Sequence, residues 1–184
     1  SLSERDARAA CSFQGTREPT FLGFADGGLD ADDTALVSAI AAAVERAEPG
    51  VIYCPSFVEI HRDHHQAARA LLRALDTVAA DPLLMFGEIG APVPANVLVD
   101  VTPVVERKVD AFRHYVSQLE ANDYLPPLRG LGRYRTVNID VAGVDYAEAY
   151  LAGRRRDLAR LVEIADRLST QVEGAAPSLA DFCN

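Results

Sequence analysis

The chain has 184 residues, 49% of them hydrophobic and 24% charged, which is material for a buried core and excludes a disordered or collagen-like polymer. Its net charge is −9 with a pI near 4.9, and the main basic cluster is Arg154-Arg155-Arg156, so nucleic acid and polyanionic substrates fit poorly while neutral or cationic small molecules, sugars included, fit. Apolar runs are short, the N-terminus has no apolar signal region, and three scattered cysteines make no disulfide framework, so no membrane span is expected and a reducing cytoplasm suits the chain.

In chain order, residues 3–11 carry alanines and charges at helical spacing. Residues 20–25 (TFLGFA) read as a strand ending in the turn Asp26-Gly27-Gly28. A helix is expected over 30–48, where Leu36, Val37, Ile40 and Val44 share a stripe, until Pro49-Gly50 stops it. Residues 51–54 (VIYC) read as a short buried strand closed by Pro55. A loop leads to a strong helix with Ala68, Leu71, Leu72, Leu75 and Val78 on its apolar face and Asp63 as its N-cap.

Residues 83–89 and 97–101 read as strands around a proline-rich turn. Thr102-Pro103 opens a long helix with Val105, Val109, Phe112, Val116 and Leu119 on one face. Residues 122–135, with Pro126-Pro127 and Gly130, read as irregular. A strand over 146–151 and a helix over 154–168 follow. Helices alternating with strands argue for a parallel α/β sheet in a single domain over 1–168, with 169–184 as a C-terminal extension.

Three of the four histidines fall in Ile60-His61-Arg62-Asp63-His64-His65. This cluster follows a strand and opens a helix, at the carboxyl end where open α/β sheets place ligands. His64 shares the stripe of Ala68, Leu71 and Leu75 and so points toward the sheet. His61 reaches the same mouth from the loop, His65 faces outward, and Asp63 can orient an imidazole. Imidazoles here can ligate a metal or move protons; equally, they can be solvated side chains at a helix start.

The stretch CPSFVEIHRDHHQAARALLRAL resembles the third motif of the PIG-L/LmbE-like family of zinc-dependent deacetylases, a His-Pro-Asp-His followed by an alanine-rich helix. TFLGFADGGL upstream, and NVLVDVTPVVERKVDAFRHYVSQ, DY, LGRYR and YAEAY downstream, are similar to further family segments. The resemblance implies a Rossmann-like, mostly parallel sheet with helices on both faces. It implies His64 as a Zn²⁺ ligand, His61 as the acid or stabiliser of the tetrahedral intermediate, and Asp63 as the carboxylate that holds His61. Arg62 stands where the family has proline.

The family's first motif, Ala-His-Pro-Asp-Asp-Glu, supplies two zinc ligands and the general base, and it has no counterpart here. Asp32-Asp33 lacks a preceding histidine and reads as two acids suited to a helix N-terminus. The resemblance begins at the family's helix after its second strand, so the chain is expected to lack the first strand–helix–strand unit and to bind zinc weakly by itself; Met85 as the single methionine is compatible with that. The expected function is removal of the N-acetyl group from an N-acetylglucosamine-type sugar or its glycoconjugate. The alternative is a non-catalytic fragment or degenerate sugar-binding domain of the same fold. Homo-oligomerisation, or association with the missing N-terminal segment, is expected to fill the apolar gap.

Glu88 is a candidate substrate contact at a strand end, weighed against a rim role. Tyr146, in YAEAY, is another, since a phenol can donate to an oxyanion; tyrosine in a strand also packs. Arg133 and Arg135 read as surface charge, weighed against contact with a substrate hydroxyl or phosphate; the Arg154–Arg156 run reads as a solvated helix start or a subunit contact, His114 as structural, and Cys54 as a buried inert thiol.

Overall fold

The structure, a computed structural model, describes residues 1–137 and 139–163. Its elements are α1 (Leu2–Gln14), α2 (Thr34–Ala47), β1 (Val51–Pro55), α3 (Arg62–Ala74), β2 (Leu83–Gly87), β3 (Val97–Asp100), a 3-10 turn (Thr102–Val104), α4 (Val105–Phe112), α5 (Val116–Ala121), α6 (Leu125–Tyr134) and β4 (Ala147–Gly153). A helix, α7, occupies residues 155–163. The rest of the helix expected to 168, the extension over 169–184 and Cys183 lie outside the described residues.

The fold is α/β, with strand order β1-β2-β4-β3. β1 and β2 are parallel, with Val51 opposite Leu83 and Pro55 opposite Gly87. β3 and β4 are antiparallel, with Val97 opposite Tyr150, so the sheet is mixed. Among the described residues no helix is long and apolar enough to cross a membrane.

The chain divides into two compact units. The first comprises Ser1–Gly23 and Ala95–Tyr150, and the second Phe24–Pro94 together with residues 151–163 of the described chain.

In the second unit, α2 and α3 pack on each other and α3 packs on β1. Ala31, Leu36 and Ala70 form a buried cluster with Phe24, Leu29, Val37 and Ile40 against it. Leu84 and Phe86 of β2 are fully buried, and Phe57 meets Phe86 edge to face at 5.4 Å between centroids. α2 begins at Thr34, later than expected, because Asp33 caps it: its side chain accepts from the Ala35 N–H at 2.8 Å. β1 is less buried than its apolar sequence suggests. It ends the strand order, and Val51 and Tyr53 remain 44% and 65% exposed.

The expected strand over 20–25 is absent from the described structure. Gly23 takes a φ of +79°, in the left-handed region, which interrupts extended backbone, and residues 21–25 form no ladder.

In the first unit, α1 packs on α4 and α5. Its N-terminus is a capping box between Ser1 and Glu4. The long helix expected from Thr102 is divided instead into the 3-10 turn, α4 and α5. Asp6 accounts for the last break. Although 2% exposed, it accepts from both the N–H (2.9 Å) and the hydroxyl (2.7 Å) of Ser117, completing the first turn of a new helix. Residues 125–134, read as irregular, form α6. The paired prolines fall in its first turn, where a missing N–H costs nothing.

The two Ser117 hydrogen bonds hold the Asp6 carboxyl below its ordinary value. A depressed folded-state value stabilises above the unfolded carboxylate range and is lost as pH falls through the folded value. Asp6→Asn should therefore lower the Tm at neutral pH, and the difference from wild type should shrink as melts are repeated toward strongly acidic pH.

Candidate functional site

The second unit buries three polar side chains in one run of sequence. Ser56 is 0%, Glu59 5% and Asp63 8% exposed. Burying a carboxylate is costly unless fixed donors answer it. Both carboxylates here are answered by backbone.

β1 delivers the chain into this loop. The Ser56 N–H donates to the Gly87 carbonyl, continuing the β1–β2 pairing by one residue. The Glu59 N–H then donates to the Ser56 carbonyl, turning the loop back. α3 begins with His61 as its N-cap, not Asp63 as expected, and the His61 side chain makes no capping bond. Its carbonyl accepts from the N–H groups of His64 and His65, so its exposed imidazole is not spent on the helix start.

Asp63 sits in the first turn of α3 and reaches across to the Asp26-Gly27-Gly28 turn. It accepts from the Gly27 N–H at 2.6 Å and the Leu29 N–H at 3.2 Å. Arg62 donates to the Gly27 carbonyl at 2.8 Å. Arg62, at the position where the resembled motif has proline, thus grips the same turn that Asp63 holds through its N–H groups. Gln66 accepts from the Ala31 N–H at 2.8 Å, and Arg73 pairs with Asp32. Asp32 therefore serves an ion pair, and Asp33 is the cap. Asp63, the carboxylate expected to orient His61, gives one lone pair from each oxygen to the Gly27 turn.

His64 lies where the helical spacing placed it, with Ala68, Leu71 and Leu75 buried along the same stripe. Its ring and that of His61 are 4.7 Å apart between centroids, tilted by 40°. Nδ1 of His64 is buried, with no hydrogen-bond partner among the described residues. The nearest charge is Glu59 Oε2, at 3.7 Å. His65 is half-buried, and its Nδ1 meets an Arg69 guanidinium nitrogen at 2.6 Å.

Glu59 escaped the sequence reading. Its carboxylate accepts from the N–H groups of Ile89 (2.8 Å), Gly90 (2.8 Å) and Ala91 (3.2 Å). A Cβ added at Gly90 would stand 3.1 Å from Glu59 Oε2, so glycine admits the close approach. The signal was present: a lone acid inside the apolar run SFVEI, two residues before His61. Glu88, one residue past β2, accepts from the Val93 N–H at 2.8 Å and so bonds the loop that Glu59 holds.

Tyr146 belongs to the first unit, where its phenol bonds the Arg129 guanidinium, itself forked onto Glu106 with both contacts at 2.6 Å. Arg133 pairs with Asp145, Arg154 donates to the Asp81 carbonyl and Arg155 pairs with Asp76. The structure thus brings His61, His64 and Asp63 together, with Glu59 added. Burial pushes the Cys54 thiol up to about 12, which makes it a poor nucleophile and a poor thiolate ligand at neutral pH.

The side chains do not fit a complete zinc site. Such a site takes three protein ligands. Here one imidazole, that of His64, has a buried nitrogen without a hydrogen bond, the Glu59 and Asp63 carboxylates accept from backbone N–H groups, and no group of three candidate ligands occurs among the described residues.

Residues 1–75 match the family profile PIG-L, described as GlcNAc-PI de-N-acetylase. No curated protein matches. Among solved structures, the conserved protein TT1542 from Thermus thermophilus is 26% identical with a TM-score of 0.70, over 81% of this chain and 71% of that one. The N,N'-diacetylchitobiose deacetylase from Pyrococcus horikoshii is 18% identical with a TM-score of 0.65, over 83% and 63%. GalB, the 4-carboxy-2-hydroxymuconate hydratase from Pseudomonas putida, is 20% identical with a TM-score of 0.62, over 80% and 69%. The resemblance to the PIG-L/LmbE-like family read from the motifs is borne out, in sequence over the first 75 residues and in fold beyond them.

Asp63→Ala should orphan two backbone donors and lower unfolding stability by about 1.5–3 kcal/mol, the range for hydrogen bonds to a charged group. The check is a fall in the urea midpoint at unchanged slope. Cys54 should be alkylated by iodoacetamide at pH 8 far more slowly in the folded chain than in the denatured one, as read by peptide mass spectrometry.

Proposed function

We propose that the protein is a hydrolase that removes the N-acetyl group from an N-acetylglucosamine-type amino sugar or its glycoconjugate. The observation that carries this reading is the close approach of the His61 and His64 rings at the start of α3, beyond the carboxyl end of β1, within the part of the chain that matches the PIG-L profile.

Amide hydrolysis needs an acid for the departing amine. His61 is exposed and free of the helix cap, and it is assigned that proton. His64, anchored on the buried stripe, forms the floor beside it. Asp63 and Arg62 hold the Gly27 turn and so fix the helix start that presents both rings. Glu88 is assigned to the sugar side, at the end of β2. The zinc ion implied by the family would need ligands beyond His64, from outside the described residues.

A second reading is a sugar-binding domain of the same fold without catalysis. It is favoured by the lack of a three-ligand group among the described residues. One assay separates the two. The full natural protein, supplied with zinc, should release free amine from N-acetylglucosaminyl glycosides, and His61→Ala should reduce kcat by roughly 10²–10⁴-fold, the usual worth of a positioned proton donor. Saturable sugar binding without amine release would establish the second reading instead.

A further inference from the structure

We propose that Glu59 is the positioning residue of His64. It holds the neutral ring as the Nδ1–H tautomer, so that the lone pair sits on Nε2.

An ionised carboxylate offers about four lone-pair sites. Backbone occupies three on Glu59: Oε1 accepts from Ile89 and Ala91, and Oε2 accepts from Gly90. The remaining site is on Oε2, the oxygen 3.7 Å from His64 Nδ1. That nitrogen is itself buried and without another partner among the described residues. A vacant acceptor and an unanswered ring nitrogen therefore stand as neighbours where water does not reach. If Nδ1 carried the lone pair, two acceptors would face each other in a buried space, which is costly. With a proton on Nδ1, both are satisfied by a small rotation of the ring.

The carboxylate cannot retreat from this arrangement. Its side chain is fully buried, and three N–H groups of the Ile89–Ala91 loop hold it. Gly90 allows the loop to close on Oε2, the oxygen that faces the imidazole. The His64 side chain as a whole keeps about a third of its surface exposed although Nδ1 has none. The ring is thus anchored by one nitrogen, which leaves the other for whatever the site binds. What that lone pair serves rests on the deacetylase reading; the tautomer does not, and it can be measured without turnover.

The test is ¹⁵N NMR of the imidazoles in the full chain, well above the ordinary imidazole range so that the rings are neutral. Free histidine favours Nε2–H. His64 should show the reverse, with Nδ1–H in excess by about tenfold or more, the least expected of a hydrogen bond to a charged acceptor. In Glu59→Gln the excess should collapse, while the His114 spectrum in the other unit stays as it was. A wild-type His64 that is mainly Nε2–H would overturn the proposal even if the variant fails to fold. A folded Glu59→Gln chain that keeps the Nδ1–H excess would overturn it as well. Absence of deacetylase activity alongside an Nδ1–H His64 would count against the proposed reaction and leave the positioning role standing.

Discussion

A carboxylate taken out of water must be met by donors that cannot move away. The second unit meets this condition twice, and its local architecture follows from the two solutions. Asp63 is met by the turn at Gly27 and Leu29, which binds the segment before α2 to the start of α3. Glu59 is met by three consecutive N–H groups after β2, which binds the loop beyond one strand to the loop beyond its parallel neighbour. His61 lies between these anchors in sequence, and His64 directly follows Asp63. Their geometry is inherited from backbone that is itself immobilised by buried charge.

Asp63 illustrates how one residue can be chosen for its shape and charge while serving a different partner from the one its motif suggests. Both its oxygens are engaged by peptide N–H groups, and the imidazole of His61 is left to solvent and to its neighbour ring. Arg62 fits the same logic. A proline there would stiffen the loop, but it could not donate to the Gly27 carbonyl. The chain exchanges a conformational restraint for a hydrogen bond at the same place.

The parts legible in the sequence were those governed by periodicity or by a local motif. The stripe of Ala68, Leu71 and Leu75 is buried as helical spacing predicts, and His64 stands at its head with Nδ1 buried. The pair β1 and β2 was legible because short apolar runs bounded by proline and glycine have few other uses. What escaped depended on distant partners. Nothing near Phe112 announces that the helix must break; the reason lies at Asp6. The double proline looked like a helix breaker and is a helix starter, since position within the first turn decides its effect. Glu59 was passed over because its value comes from three donors some thirty residues away.

The bond between Asp6 and Ser117 joins residues 111 apart in the chain. α5 has six residues, too few to persist without support. Its formation is thus tied to one of the longest loop closures available to the molecule. During synthesis α1 emerges well before Ser117 is made, so the Asp6 carboxylate waits in water until its partner follows. The helical pieces of the first unit can form early, but their joining is a late event, and topology rather than propensity sets its rate.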